Sequence, residues 1–189
     1  MIDTKELVEI RWHGRGGQGS VAATGLVARA AISEGKYASA FPVFGAERRG
    51  APVTAFVRIN SKQPIRIRSE IDKPDVVVVL DSSLLRVVKV TSGLKKDGIL
   101  VINTPHSLQE IEDRFGTEWH LATVNATKIA RDVLGVPIVN TAMIGALLKA
   151  TDVVKLESML EPLQYHFPRI AEKNMNAIKM AYEETLLKE

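Results

Sequence analysis

Apolar runs separated by polar segments alternate along the first two thirds of the chain, in a pattern that predicts strands followed by helices. Residues 7–12 predict a strand, and the small residues of 18–32 predict a helix that packs closely against a sheet. Continuous aliphatic runs within 74–81 and 99–103 are typical of strands that are buried on both faces. This alternation of strands and helices predicts a sheet that is largely parallel.

The middle of the chain adds a β-hairpin to this plan. Residues 37–44 predict a second extended segment. Residues 53–59 and 65–68 alternate apolar and polar side chains on either side of a polar turn, which indicates that the two segments pair with each other. Arg66 and Arg68 then share one face of the second strand. That face is either half solvated or covered by a partner subunit.

The rest of the chain adds two more strands and most of the helices. Strands are expected at 121–125 and 136–140, and helices at 84–90, 106–115, 126–134, 141–150, 156–165 and 168–187. A chain of this length can bury a sizeable core as one domain. The sequence therefore predicts an α/β fold that is Rossmann-like, with a mostly parallel sheet, an inserted β-hairpin and a helical C-terminal region. We expect residues 1–189 to form a single domain.

A glycine-rich loop joins the first strand to the first helix and is the main candidate site. It consists of Gly14, Arg15, Gly16, Gly17, Gln18 and Gly19. Unpaired N–H groups at a helix N-terminus attract anions, because these groups and the helix dipole both favour negative charge. Arg15 can add a charge-assisted hydrogen bond. The loop is therefore predicted to bind phosphate, unless its glycines only let the helix approach the sheet.

The spacing Gly-x-Gly-x-x-Gly also matches the start of a dinucleotide-binding fold, in which an acid near the end of the second strand holds the ribose. Here no Asp or Glu ends the second extended segment; Glu34 precedes it and Glu47 follows it. Arg48 or Arg49 could instead meet the additional phosphate of NADP. A stand-alone NAD(P)-binding domain is therefore an alternative with an incomplete fingerprint.

Three other polar residues lie at predicted strand ends, where open α/β sheets bind ligands. His13 is either an acid–base group or a structural side chain, and the structural role is the simpler one. Asp81 and Asn103 are expected to cap helices. The sequence contains neither a nucleophile elbow nor a P-loop. We therefore assign no catalytic residue to this chain.

Composition narrows the chemistry further. The chain has no cysteine, which excludes a disulfide, a thiolate nucleophile and a cysteine-ligated iron–sulfur cluster. Its histidines lack the spacing of metal ligands, so no metal site is expected. Residues 1–70 carry 11 Lys and Arg against 6 Asp and Glu, so an anionic ligand or an acidic surface is attracted to the part that holds the glycine loop.

Nucleic acid and membranes are not expected partners. Aromatic residues make up 5% of the chain and do not interleave with the basic residues as they do in proteins that bind nucleic acid. No apolar run approaches the ~20 residues that span a bilayer, and the first residues lack the parts of a secretory signal. The expected location is the cytoplasm.

Two long motifs, residues 10–19 and 41–56, together resemble one protein family. It is the gamma subunit of the multi-subunit 2-oxoacid:ferredoxin oxidoreductases, and the chain looks most like the pyruvate synthase branch. The resemblance extends over three further segments, 74–81, 97–104 and 137–145. One departure is Asn125, where we expect an aspartate in relatives.

The resemblance implies a subunit of an enzyme that oxidatively decarboxylates a 2-oxoacid, with pyruvate as the expected substrate, in a CoA-dependent reaction that passes electrons to ferredoxin. The family's holoenzyme is a heterotetramer of alpha, beta, gamma and delta subunits and uses thiamine diphosphate, Mg²⁺ and [4Fe–4S] clusters. The present chain has no cysteine and lacks the Gly-Asp-Gly…Asn pattern that holds thiamine diphosphate. It is therefore expected to bind none of these cofactors alone and to be inactive by itself.

The resemblance also implies that the gamma subunit closes over CoA. CoA carries a pyrophosphate and a 3′-phosphate, and a basic rim lined by glycines suits both groups. The candidate residues are the glycine loop, with Arg15 foremost, together with Glu47, Arg48 and Arg49. The latter three form part of the same channel or of an intersubunit contact. The competing hypothesis is a purely structural assembly module.

Overall fold

A seven-stranded mixed sheet forms the centre of the computed structural model, which describes residues 6–43, 50–116 and 118–188. Its strands are β1 (Leu7–Arg15), β2 (Tyr37–Val43), β3 (Pro52–Asn60), β4 (Val76–Val79), β5 (Ile99–Asn103), β6 (His120–Val124) and β7 (Leu186–Lys188). They lie in the order β2-β3-β1-β4-β5-β6-β7. Only β3 and β7 run against the direction of the other strands.

Helices cover both faces of this sheet. They are α1 (Ser20–Ser33), α2 (Leu108–Phe115), α3 (Ala126–Leu134), α4 (Asn140–Thr151), α5 (Leu160–His166) and α6 (Ala171–Glu184), with short 3-10 helices at Ser82–Arg86 and Leu156–Met159. Across the described ranges, none of these helices is both long and apolar enough to cross a membrane.

The sheet separates two apolar cores of unequal size. Val8, Ile10 and Trp12 of β1 enter the larger core, which α1 and α3 to α6 complete. The smaller core lies on the opposite face, where β4, β5 and β6 pack against α2 and the segment that follows β4. Because β4 and β5 are covered on both faces, their sequences are continuously apolar instead of alternating.

The predicted hairpin, in which residues 53–59 pair with 65–68, is wrong, and the structure instead contains an antiparallel hairpin of β2 and β3. β3 pairs antiparallel with β2 on one side and with β1 on the other, and residues 65–68 form no strand. An alternating pattern shows that a segment can pair but does not name its partner. Here β1 and β2 already occupy both edges of β3.

Three other predicted elements also differ from those in the structure. Residues 136–139 form no strand, and α4 begins at Asn140 instead. The last helix stops at Glu184, and β7 then fills the edge position beside β6. The helix predicted over 84–90 is reduced to the short 3-10 helix that ends at Arg86.

Residues 61–75, the β3–β4 connector, cross the amino end of β1, because β3 and β4 lie on opposite sides of that strand. Two buried arginines hold the connector in place. Arg58 donates to the carbonyls of Ile67 (3.3 Å) and Ser69 (2.8 Å), and Arg11 donates to the carbonyl of Ile71 (3.2 Å). The connector is therefore positioned by guanidinium groups and not by strand pairing.

Candidate functional site

The glycine loop lies at the point in the sheet where successive strand connections switch from one side to the other. From β1 the chain runs through α1 to β2 on one side, whereas from β4 it runs to β5 on the other side. The carboxyl ends of β1 and β4 therefore flank the crevice in which open α/β sheets bind their ligands.

The turn is shorter than the glycine loop defined from the sequence, because the loop's first two residues, Gly14 and Arg15, still belong to β1. Gly16 donates a backbone hydrogen bond to the carbonyl of Ala51 (2.9 Å) and accepts one from the N–H of Gly50 (3.2 Å). The loop is thus tied to the start of β3 as well as to the end of β1.

Gly19 is the residue at which the loop becomes helix α1. Its φ of 80° is left-handed, and a Cβ at this position would lie 2.6 Å from Nδ2 of Asn140 in α4. Gly17 is also left-handed, with a φ of 94°, but no described atom lies within 4 Å of its Cβ position. Position 19 therefore requires glycine for conformation and for space, and position 17 for conformation alone.

The N-terminus of α1 is open. In the part of the chain that the structure describes, no side chain caps it, and its first backbone hydrogen bond runs from Ala23 to the carbonyl of Gly19 (2.9 Å). Within the described ranges, the N–H groups of Gly19, Ser20, Val21 and Ala22 have no acceptor. These unpaired groups and the positive end of the helix dipole form an arrangement that favours an anion.

The residues that carry these N–H groups line a cavity of about 620 Å³. The cavity extends from the glycine loop along α1 to Arg29, and His166 of α5 also lines it. Ser20 is buried beside it, and its Oγ has no hydrogen-bond partner among the described residues. The cavity therefore combines an open helix N-terminus with nearby basic side chains.

Arg15 reaches across the crevice between β1 and β4. Its Nε lies 3.1 Å from Oδ2 of Asp81, and its terminal nitrogens donate to the carbonyl of Gly50 (3.0 Å) and to Oγ of Ser83 (2.7 Å). Gln18 completes the network, because its Oε1 accepts from the Arg15 N–H and its Nε2 donates to Asp81. The structure thus places the predicted site residues Arg15 and Gln18 in one hydrogen-bonded network with Asp81.

Asp81 is ionised in this network. Burial by itself would raise its pKa, but the hydrogen bonds from Ser83 and Gln18 and the charge of Arg15 outweigh burial, so the pKa lies below the usual value. Asp81 also accepts from the N–H of Ser83 (2.9 Å) at the start of the 3-10 helix. Its predicted capping role is confirmed, and the sequence did not indicate its ion pair with Arg15.

His13 is neutral and structural. It is 6% exposed, and its Nε2 accepts from Nε of Arg11 (3.1 Å). Burial, followed by the positive charge of Arg11, lowers the pKa of His13 to about 4. Arg11 itself continues to the carbonyls of Val90 and Ser92. This geometry favours the structural role of His13 over an acid–base role.

A second crevice, of about 730 Å³, adjoins the glycine loop at Gln18 and Asp81 and runs along the same edge of the sheet to the ends of β5 and β6. Asn103 donates to the carbonyl of Leu80 (2.8 Å) and accepts from the N–H of Thr127 (3.2 Å). Asn125 accepts from the N–H of Lys128 (3.0 Å). The first turn of α3 is therefore bound by amide side chains of the chain itself.

The remaining predicted site residues, Glu47, Arg48 and Arg49, lie outside the described residues, and their role stays a prediction. Gly50, which follows them, is bonded to Gly16 and Arg15. In the part of the chain that the structure describes, no group of three or more His, Asp or Glu side chains is arranged to hold a metal ion.

Two basic residues that line the cavity, Arg29 and His166, are not among the site residues predicted from the sequence. Arg29 lies over the ring of Tyr165, with its guanidinium carbon 4.6 Å from the ring centre. Helical spacing from Ala22 and Gly25 could have placed Arg29 on the same side of α1. No signal in the sequence could have placed His166 there, because α5 brings it to the cavity from far along the chain.

Comparison with known proteins identifies the family. A family model described as pyruvate ferredoxin/flavodoxin oxidoreductase matches residues 9–184. The common gamma subunit of the pyruvate/ketoisovalerate oxidoreductases of Pyrococcus furiosus is 54% identical over 181 residues, which is 95% of this chain and 97% of that protein. Pyruvate synthase subunit PorC of Methanocaldococcus jannaschii is 49% identical over 183 residues, or 96% and 99% of the two chains.

A solved structure confirms the fold. The crystal structure of pyruvate oxidoreductase subunit PORC from Thermotoga maritima matches with a TM-score of 0.86 at 38% identity, over 98% of this chain and 100% of that one. The predicted α/β class is therefore confirmed, and the comparisons give no support to a stand-alone NAD(P)-binding domain. By sequence and by fold, the chain belongs to the pyruvate ferredoxin/flavodoxin oxidoreductase family, among its gamma-type subunits.

Proposed function

We propose that the chain works in a cytoplasmic complex with alpha, beta and delta subunits, which oxidises pyruvate. In this reaction the acyl group of the 2-oxoacid passes to CoA, CO₂ is released and ferredoxin accepts the electrons. The names of the relatives, pyruvate synthase and pyruvate/ketoisovalerate oxidoreductase, support this substrate class. The continuous seven-stranded sheet supports treating residues 1–189 as a single gamma-type domain.

The part of this chain in the reaction is to bind an anionic group of CoA. The observation that carries this proposal is the open N-terminus of α1 beside the 620 Å³ cavity. Unpaired N–H groups at a helix start favour a phosphate, and CoA carries both a pyrophosphate and a 3′-phosphate. Glycine at position 19 allows the left-handed turn into the helix and leaves room for Asn140.

Arg15 supplies positive charge at the rim of this cavity. Its ion pair with Asp81 is partly solvated, with side-chain exposures of 29% and 23%. A phosphate can compete with Asp81 for Arg15, because a guanidinium binds phosphate through strong charge-assisted hydrogen bonds. Gln18 stays bonded to the Arg15 N–H and keeps the loop in place.

We assign the redox cofactors to the other subunits. The chain has no cysteine for a [4Fe–4S] cluster, and its described residues do not fit the Mg²⁺ that anchors thiamine diphosphate. No step of the electron transfer is therefore assigned to this chain. Glu47, Arg48 and Arg49 are proposed to extend the same surface, either as an intersubunit contact or as a further wall of the CoA channel.

CoA binding to the reconstituted complex tests the proposal. Arg15→Ala should weaken CoA binding about 10- to 100-fold, because a hydrogen bond to a charged group contributes roughly 1.5–3 kcal/mol. Arg131→Ala is the matched control, since Arg131 is an exposed cation that lines the second crevice. Calorimetric titration of each assembled complex with CoA, and with CoA that lacks the 3′-phosphate, gives the affinities.

Equal CoA affinity of the wild-type and Arg15→Ala complexes would remove Arg15 from the site. An Arg48→Ala/Arg49→Ala complex that assembles and binds CoA normally would remove that segment as well. A loss with Arg131→Ala as large as the loss with Arg15→Ala would place the CoA group in the second crevice instead.

A further inference from the structure

The β3–β4 connector contains a strand-like segment that pairs with none of the seven described strands. Residues 64–68 run without a bend, and the alternation of Ile65 and Ile67 with Arg66 and Arg68 is that of a β-strand. Both edges of β3 are nevertheless occupied by β1 and β2. We refer to residues 64–68 as the arm.

Arg58 holds one edge of the arm. Within the arm it donates to the carbonyl of Ile67 (3.3 Å), and beyond the arm, where the chain bends at Ser69, it donates to the carbonyls of Ser69 (2.8 Å) and Glu70 (3.4 Å). In an extended chain the backbone groups of successive residues point to opposite edges, so those of Arg66 and Arg68 point away from Arg58. Within the described ranges, the N–H groups of Arg66 and Arg68 have no acceptor.

The side chains along the arm are also available. Ile67 is 61% exposed, and Arg66 and Arg68 are exposed and have no carboxylate within salt-bridge distance among the described residues. An exposed edge with unpaired backbone groups is a surface to which another strand adds. Two cations that pair with no described carboxylate favour a partner strand with acidic side chains.

We propose that the arm pairs, by strand addition, with an edge strand of another subunit of the oxidoreductase, and that this strand carries acidic side chains opposite Arg66 and Arg68. This inference rests on the proposed function, because it requires that the chain assembles with other subunits. The buried Arg58 orders the arm in advance, so little conformational entropy is lost when the partner strand binds.

The arm and the glycine loop lie at opposite ends of β1. The connector crosses near Leu7, which pairs with Asn60, whereas the glycine loop follows Arg15. Nine residues of strand separate the two places by roughly 25 Å at about 3.3 Å per residue. The arm is therefore an assembly contact that is separate from the proposed CoA site.

Hydrogen–deuterium exchange of the isolated chain and of the assembled complex provides the direct test. The N–H groups of Arg66 and Arg68 should exchange rapidly in the isolated chain and at least about 10-fold more slowly in the complex, because pairing with a strand protects them. Equal exchange in the two states would overturn the proposal.

Proline substitutions test which edge is used. Arg66→Pro and Arg68→Pro each remove an N–H of the free edge and keep the carbonyls that Arg58 binds. Each should weaken assembly about 10-fold more than the corresponding alanine variant, which removes the charge alone. Ile67→Pro removes an N–H of the opposite edge and should weaken assembly no more than Ile67→Ala. Titration of labelled variants into the other subunits gives the assembly affinities.

The charge of the partner strand is tested by an Arg66→Glu/Arg68→Glu variant, which should lose at least about 10-fold in assembly affinity. Lys89→Glu/Lys96→Glu is the control with the same change in charge at exposed positions, and it should assemble normally. Equal losses of assembly affinity in the two variants would overturn the proposal that the partner strand carries acidic side chains.

Two outcomes separate this inference from the proposed function. A wild-type chain that joins no complex would overturn the proposed function. A complex that assembles and binds CoA while the arm remains unprotected would overturn the arm alone. Thermal unfolding of the isolated variants shows whether they fold, and the exchange measurement on the wild-type chain needs no variant.

Discussion

Helices α1 and α3 begin at the same edge of the sheet, but their first turns are built in opposite ways. α1 follows β1 through the glycine loop, and no side chain among the described residues binds its first N–H groups. α3 follows β6 almost directly, and Asn103 and Asn125 bind the N–H groups of Thr127 and Lys128. The two junctions differ in whether described side chains of this protein accept hydrogen bonds from the first N–H groups of the helix.

This difference shows which helix start is available to a ligand. A side-chain cap stabilises a helix by about 1 kcal/mol and occupies the N–H groups that an anion would need. A start made of glycines forgoes that stability and leaves the N–H groups free. α2 follows the pattern of α3, since Ser107 and Glu110 form a capping box. Of the described helices, α4, α5 and α6 also begin without a side-chain cap at the N-cap residue, but among the three helices that follow a strand α1 is the exception, and the cavity lies at its start.

The largest expected effect concerns Gly19. Gly19→Ala should lower the free energy of unfolding by roughly 3 kcal/mol, because a left-handed φ is costly for an L-residue and the new Cβ would displace Asn140. Gly17→Ala should lower it by about 1 kcal/mol, since its Cβ would meet no described atom. Urea unfolding of the isolated variants measures both, and equal losses would exclude Asn140 as the cause.

The second prediction is that acid lowers the stability contributed by the junction between β1 and α1 but not the stability contributed by the junction between β6 and α3. His13 has a folded pKa of about 4 against 6.5 for an unperturbed histidine, so the unfolded chain binds more protons between these values. The stability that neutral His13 contributes is fully present above pH 6.5 and is lost as the pH falls toward 4.

Between pH 7 and pH 4.5 this loss amounts to about 2 kcal/mol, at roughly 1.4 kcal/mol per pK unit. In His13→Gln, whose amide can accept from Arg11 but does not titrate, the pH dependence should be smaller by that amount. Denaturant unfolding of both proteins at the two pH values measures the difference. Identical pH profiles would show that His13 is not held neutral by the fold.

The third prediction concerns the cap of α3. Asn125→Ala should lower the free energy of unfolding by about 1 kcal/mol, because the N–H of Lys128 loses its acceptor, and CoA binding should be unchanged. Lys128→Ala is the control, because it keeps the backbone N–H and removes only an exposed side chain. Chemical unfolding and CoA titration together show whether the α3 junction is purely structural, and a loss of CoA affinity would contradict this.

The smallest effect is expected for Asn125→Asp, which introduces the residue that we expect in relatives. It should raise the free energy of unfolding by about 0.3–1 kcal/mol, because a carboxylate interacts more favourably than an amide with the positive end of the helix dipole. The gain should shrink at high salt, where surface charges are screened. A gain that does not depend on salt would point to a cause other than charge.

Helix α3 shows why some elements could be predicted well. Its predicted and observed bounds agree at Ala126 and Leu134, because both ends are set by neighbouring residues. Asn125 caps the first turn, and Gly135 ends the helix with a left-handed φ of 76°. β4 and β5 were predictable for a similar reason, since a continuous aliphatic run is itself the signal of a buried strand.

Pairing between distant segments could not be predicted in this way. The partner of β3, the return of Leu186–Lys188 as β7 and the absence of a strand at 136–139 all depend on which sheet edge is free after the other strands have paired. The same applies to the site, where Asp81, Asn140 and His166 reach the glycine loop from distant elements.

The sequence by itself determined the α/β class, the family and the position of the glycine loop, because glycine spacing, apolar runs and long motifs depend on residues near one another in the chain. It also excluded a cysteine-bound cluster on this chain. Only the tertiary structure decided that α1 is left uncapped while α3 is capped, that Arg15 is held by Asp81, and that the arm has a free edge. These features arise where elements far apart in sequence meet, and local patterns do not encode which of them will meet.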